Sequence, residues 1–142
     1  MRRRKFVGFT LIELMVVILI LAILAALVVP RVIGKADQAK VSKAQADLAT
    51  LSSALQEFRV NCDRYPTTEE GLQALRTAPS DVSSKWKGPY IDKDIPNDPW
   101  EHPYHYAYPG QGGKDSYELL SYGGDGQQGG DGLNADIQAG SS

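Results

Sequence analysis

With 142 residues, 42% of them apolar and 23% charged, the chain has room for one small domain beside a membrane-length segment. The formal net charge of −2 conceals an asymmetry: Arg2, Arg3, Arg4 and Lys5 supply four of the fifteen basic residues, and without them eleven bases face seventeen acids. That balance excludes nucleic-acid binding, which rests on clustered Lys and Arg. The lone cysteine, Cys62, excludes an internal disulfide and reads as a small, partly buried apolar residue.

The basic leader, residues 1–8, runs into Gly8-Phe9-Thr10-Leu11-Ile12-Glu13. From Phe9 to Val29 only Thr10 and Glu13 interrupt the apolar run. As a helix this segment spans about 31 Å, the thickness of a hydrocarbon core of roughly 30 Å. A cleaved secretory signal is the competing reading, but such signals carry a shorter apolar region ending in small residues. Here the run continues to Pro30-Arg31, and Ala25-Ala26 offers only a weak cleavage site. Positive charge before the span puts the N-terminus in the cytoplasm and the rest outside.

Glu13 lies about one turn inside that span, where an ionised acid costs up to about 3 kcal/mol. It either reaches the headgroups, becomes neutral in the bilayer, or is paired. The charge that an identical subunit can bring to it is an amine on Phe9, made by cutting after Gly8. Pairing Glu13 of one subunit with Phe9 of the next offsets the burial cost and sets axial register. These residues point to assembly rather than catalysis.

The leader, Gly8, the run Phe9-Thr10-Leu11-Ile12-Glu13-Leu14-Met15-Val16-Val17 and Pro30 together resemble the class III signal of type IV pilins and type II secretion pseudopilins. The resemblance implies a prepilin peptidase that cuts between Gly8 and Phe9 and methylates the new amine of Phe9.

Past the span, Pro30 and Gly34 predict a kink or a locally melted stretch near 26–34. Residues 30–60 then read as an amphipathic helix: Val41, Ala44, Leu48, Leu51, Leu55 and Phe58 recur at spacings of three and four, one apolar stripe that packs on the protein's own domain. Lys43 and Asp47 form an i,i+4 pair on another face.

Residues 61–142 read as a small globular domain rich in turns. Tyr65-Pro66 stops the helix. Thr67 and Glu70 form a capping box that opens a short helix through Gly71–Arg76, ended by Ala78-Pro79. Trp86, Tyr90 and Ile91 anchor the next loop on the core. Tyr104–Tyr108 and Tyr117–Tyr122 read as two strands of a hairpin joined through Pro109-Gly110-Gln111-Gly112-Gly113.

The segment Tyr122–Asp136 combines hard oxygen donors with glycines that let the backbone curl around an ion, the chemistry that calcium takes. Spacing alone is equally read as a Gly-Asp loop without a ligand, since the EF-hand pattern is absent. His102 and His105 with Asp98 and Glu101 could be taken for a zinc cluster. Pro103 between the histidines prevents a helical presentation, and strand alternation sends positions three apart to opposite faces. No nucleophile elbow or phosphate loop accompanies the Ser, His and Asp residues, so the chain reads as no enzyme. The tyrosines read as core and interface.

Tyr65-Pro66-Thr67-Thr68-Glu69-Glu70-Gly71-Leu72-Gln73-Ala74-Leu75, Pro96-Asn97-Asp98-Pro99-Trp100-Glu101-His102-Pro103-Tyr104 and Leu120-Ser121-Tyr122-Gly123-Gly124-Asp125-Gly126 are similar to the major pseudopilins of type II secretion systems. One cysteine cannot form the C-terminal disulfide loop usual in type IV pilins, which favours the pseudopilin. The resemblance implies an α+β, type IV pilin-like fold: a long N-terminal helix, transmembrane and then amphipathic, packed on a small antiparallel sheet with a C-terminal calcium loop. It implies structural Ca2+ held by the backbone oxygen of Tyr122, the carboxylate of Asp125 and a second acid, Asp131, with Gly132 leaving the register open and Asp136 and Asn134 in reserve. It further implies an inner-membrane protein with a periplasmic domain that polymerises into a helical pseudopilus with minor pseudopilins and an inner-membrane assembly platform, and exports folded proteins. A type IV pilin, a minor pseudopilin and a membrane-tethered periplasmic enzyme are the alternatives.

Overall fold

The computed structural model describes residues 8–139, without the side chains of residues 28–34. The leader before Gly8 and the last three residues lie outside the described part. The chain divides into two compact units, one ending at Asp37 and one beginning at Gln38. A single helix, α1 (Leu11–Cys62), runs through both.

Thr10 caps the start of α1. Its hydroxyl oxygen accepts the N–H of Glu13 at 3.3 Å, while its carbonyl accepts the N–H of Leu14 at 3.2 Å. One of the N–H groups left unpaired in the first turn is thereby satisfied, the Thr10 carbonyl takes the first intrahelical bond, and the acid at Glu13 sits beside the positive end of the helix dipole. The backbone stays helical through Pro30, which corrects the melted stretch expected at 26–34. A proline removes one hydrogen bond, and the rest of the ladder on either side carries the helix past it. At the other end Asp63 turns to a left-handed backbone (φ 61°) with its N–H on the Arg59 carbonyl at 2.8 Å. The helix therefore stops before Tyr65-Pro66 reaches it.

In the second unit the apolar stripe forms the core. Leu48, Leu51, Leu55 and Phe58 are at most 2% exposed, Ala44 is buried and Val41 half-buried. Ala54 and Cys62 join the same face. Against it pack Leu72, Ala74, Leu75, Val82, Tyr104, Tyr106 and Leu119, with Trp86, Tyr90 and Ile91 at the margin. The Trp86 indole N–H donates to the Ala74 carbonyl at 2.9 Å, which pins the loop where the sequence placed it.

The capping box forms as expected. The Thr67 N–H donates to Glu70 at 2.8 Å and the Glu70 N–H to the Thr67 hydroxyl at 3.2 Å, opening a 3-10 turn over Gly71–Leu75. Arg64 reinforces it: the guanidinium takes both Glu70 oxygens at 2.8 Å each, both Asp81 oxygens and the Tyr65 carbonyl.

Strands β1 (His105–Ala107), β2 (Glu118–Ser121) and β3 (Ile137–Gln138) make an antiparallel sheet in the order β1-β2-β3. The first two are the expected hairpin, shorter at each end; β3 has no counterpart in the sequence reading. Tyr106 lies opposite Leu119, so both send their side chains into the core. In the turn between them the Tyr117 backbone lies 2.7 Å from where a Cβ on Gly110 would sit, which only glycine allows. Tyrosine hydroxyls tie the sheet region to the helix and to the segment just after it. Tyr104 donates to Asp47 at 3.0 Å, Tyr117 meets Ser52 at 2.5 Å, and Tyr106 donates to the Pro66 carbonyl at 2.8 Å. Burial, first of all, holds the Tyr104 and Tyr106 phenols well above their ordinary pKa, so they stay protonated donors.

Candidate functional site

Two places carry the residues singled out from the sequence. The first is the start of α1. Every Leu, Ile, Val and Met from Leu11 to Leu27 is exposed, from 45% at Val17 to 78% at Leu11, and Phe9 is 85% exposed. The exposure runs round all faces of the helix, so no packing among the described residues covers it. At about 1.5–3 kcal/mol for a fully buried aliphatic side chain, the half-exposed run leaves on the order of 10 kcal/mol or more of burial unrealised. Water is the wrong solvent for this surface. Gly8 is exposed, as is Glu13, whose carboxylate makes no ion pair among the described residues. Among the described residues no helix is long and apolar enough to cross a membrane. The described side chains of the 9–29 segment end at Leu27, short of its last two valines.

The second place is the loop from Tyr122 to Asp136. It holds two 3-10 turns, Gly123–Asp125 and Gly132–Asn134, and left-handed glycines at 123, 126, 129, 130 and 132. Asp125 is exposed and accepts the Gln127 N–H at 3.1 Å; Asp136 is half-buried and both its oxygens accept the Gly129 N–H at 3.0 Å. Asp131 is exposed, with its backbone carbonyl on the Asn134 N–H at 3.1 Å. The Tyr122 ring lies against that of His105, tilted 38° at a centroid distance of 5.3 Å. The three acids do not converge: among the described residues no three Asp, Glu, His or Cys side chains gather closely enough to hold a metal.

The loop does bring its two limbs together. A Cβ on Gly123 would lie 2.8 Å from the Ala135 carbonyl oxygen and 2.9 Å from that of Leu133, and one on Gly124 would lie 2.8 Å from the Asn134 side-chain oxygen. The residues that hold the first limb were not foreseen. Asp98 and Ser121 are buried, 3% and 0% exposed, and their side chains are joined by a hydrogen bond of 2.5 Å. The available signal was Asn97-Asp98-Pro99, since an Asp just before a turn hydrogen-bonds the backbone two residues on.

The profile described as "Type II secretion system (T2SS), protein G" matches residues 31–140, and that of the "Prokaryotic N-terminal methylation motif" matches residues 3–29. The type II secretion system core protein G of Pseudomonas aeruginosa is 45% identical over 139 residues, covering 96% of each chain. That of Vibrio cholerae is 43% identical, covering 96% of this chain and 92% of its own. The chain belongs to the type II secretion system protein G family. The crystal structure of the major pseudopilin from the type 2 secretion system of enterohaemorrhagic Escherichia coli superposes with a TM-score of 0.60 at 34% identity, over 78% of this chain and 95% of that one.

The protein G fold leaves the helix start bare and concentrates its core behind Gln38, so the two places differ in kind. The first is a surface waiting for apolar company. The second suits a hard cation in the nature of its donors, which are carboxylates, an amide oxygen and carbonyls with no thiolate among them. With the acids spread apart, an ion there would draw mainly on Asp125, backbone carbonyls and water.

Proposed function

We propose that this chain is the major pseudopilin of a type II secretion system, a filament subunit rather than an enzyme. In this reading a prepilin peptidase removes residues 1–8 by cutting between Gly8 and Phe9 and methylates the Phe9 amine. Residues 9–29 hold the subunit in the inner membrane with its globular domain in the periplasm. Copies then leave the lipid and stack into a helical pseudopilus, with minor pseudopilins and an inner-membrane assembly platform, and its growth exports folded proteins.

The observation that carries the reading is the apolar helix start, exposed on every face, bearing one acid and fused to a domain that already has its own core. A monomer gains nothing from such a surface. Lipid covers it before assembly, and neighbouring copies cover it afterwards. Glu13 meets the Phe9 amine of the adjoining copy, which removes an unpaired charge from an apolar medium and fixes the axial step. Mass spectrometry of the mature chain should find residues 1–8 missing and a methyl group on Phe9. Glu13→Ala subunits, processed and abundant, should fail to polymerise; filaments and export at the parent's level would refute the pairing.

The Tyr122–Asp136 loop in this reading takes a structural Ca2+ through Asp125, the Tyr122 carbonyl and water, and draws in one of Asp131 or Asp136 as the ion binds. Bound there, the ion would tie the loop's oxygens together in a domain without a disulfide. Chelation should lower the melting temperature of the parent and leave that of Asp125→Ala unchanged.

A further inference from the structure

The buried pair Asp98–Ser121 belongs to a closed ring of hydrogen bonds. Asp98 Oδ1 accepts the N–H of Trp100 at 3.0 Å and that of His102 at 2.8 Å, and Oδ2 accepts the Ser121 hydroxyl at 2.5 Å. Ser121 Oγ accepts in turn the N–H of Gly123 at 3.2 Å. The Gly123 carbonyl accepts from His102 Nδ1 at 3.2 Å, which returns the ring to the turn that Asp98 shapes. A carboxylate buried this deeply is tolerated because three donors satisfy it.

The ring ends on the one residue whose position decides the loop. Gly123 is buried with a left-handed backbone (φ 67°) and presses directly on Leu133–Ala135, the returning limb. The same turn lays two aromatic side chains along the first limb. The Trp100 indole nitrogen lies 3.4 Å from a Cβ position on Gly124, and His102 Nε2 lies 3.0 Å from one on Gly126. Asp125 sits between those two contacts.

We infer that Asp98 and Ser121 are positioning residues for the Tyr122–Asp136 loop: they hold its first limb in shape without an ion, and so set how tightly the loop takes one. The inference rests on the reading of this loop as a cation site. Pre-forming the loop lowers the ordering cost that ion binding would otherwise bear.

The test uses the full chain in detergent micelles. Amide exchange of Gly123 and Gly124 is followed in a calcium-free solution with chelator, and the affinities for Ca2+ and for Tb3+, whose luminescence Trp100 is placed to sensitise, are measured alongside. Melting followed by tryptophan fluorescence reports whether the domain is folded. Ser121→Ala should exchange Gly123 at least about tenfold faster and bind Ca2+ about tenfold more weakly, with its melting transition still cooperative. Parent-like exchange, or an affinity within twofold of the parent, overturns the inference. Where Ser121→Ala does not melt cooperatively, Asp98→Asn keeps the volume and one acceptor and is read in the same way. Asp125→Ala separates the two ideas. It should lose the ion while Gly123 stays protected. If instead it binds Ca2+ as the parent does, the ion's assignment to Asp125 fails, and the exchange data still decide whether Ser121 shapes the loop.

Discussion

Removing the Arg64 side chain should be among the costliest single changes outside the apolar core. The guanidinium is only 22% exposed and Glu70 23%, so the pair is half-shielded from water. It is bidentate, with both bonds at 2.8 Å, and the same Glu70 also accepts the Thr67 N–H of the capping box. Arg64→Ala therefore strips the cation from a carboxylate that must keep its place for the 3-10 turn to start. Exposed pairs contribute about 0–1 kcal/mol and breaking a fully buried one costs about 3–5 kcal/mol, which puts this one near 2 kcal/mol. The Asp81 arm is exposed and adds little. For a domain of this size about 2 kcal/mol lowers the melting temperature by roughly 10 °C.

Acid should erase that difference, and the sign follows from Glu70. Arg64, foremost, holds the Glu70 carboxyl below its ordinary pKa, with the Thr67 N–H adding to it. A carboxylate whose folded pKa is depressed stabilises the fold fully above its unfolded value, about 4.3, and loses that contribution as pH falls through the folded one. Arg64 itself is pushed up by Glu70, farther beyond any working pH, and adds no pH dependence. Melting curves of parent and Arg64→Ala, followed by the fluorescence of Trp86 and Trp100, should be about 10 °C apart at pH 7 and converge once Glu70 is protonated. A gap under about 2 °C at pH 7, or one unchanged at low pH, would refute the reasoning.

Phe58→Ala removes a fully buried ring at the centre of the core and should cost about 3–5 kcal/mol, read as loss of most of the domain's melting transition. Glu101 adopts a left-handed backbone (φ 71°) with an exposed side chain, so Glu101→Gly should raise the melting temperature by a few degrees; a fall would show that its side chain has an unseen role. Cys62 is buried, and that burial raises its thiol pKa. Thiol-specific reagents should therefore leave it unmodified in the folded chain and label it in denaturant.

Much of the helix was legible because its signals are periodic. The stripe from Ala44 to Phe58 repeats at three and four, and a residue that recurs on one face has one reasonable place to go. The capping box was legible because Thr67 and Glu70 carry their partners within three residues. Asp98 and Ser121 were not, since they are 23 residues apart and only the tertiary fold brings them together. The strand β3 was invisible for a related reason: two residues following a glycine-rich loop show no alternation, and pairing with Leu120 and Ser121 alone makes them a strand. In the loop, composition could not say that Asp125 and Asp136 spend carboxylate oxygens on the Gln127 and Gly129 N–H groups.

The two units answer opposite demands. Up to Leu27 the helix is apolar on every side and carries one acid; in the proposed function it is exchanged between surroundings, with lipid and neighbouring helices as nearly equivalent solvents for it. Behind Gln38 the domain is built not to change: a core closed by Phe58 and Leu55, tyrosine hydroxyls bonded across to the helix, and Arg64 and Asp98 each satisfied by several partners. A subunit that leaves a bilayer and enters a filament, as proposed above, needs both. If the domain loosened during transfer, its core would compete for the apolar surface on which assembly depends. Filament formation should therefore fall with Phe58→Ala in proportion to the unfolded fraction, whereas Glu13→Ala should abolish it in subunits that melt like the parent.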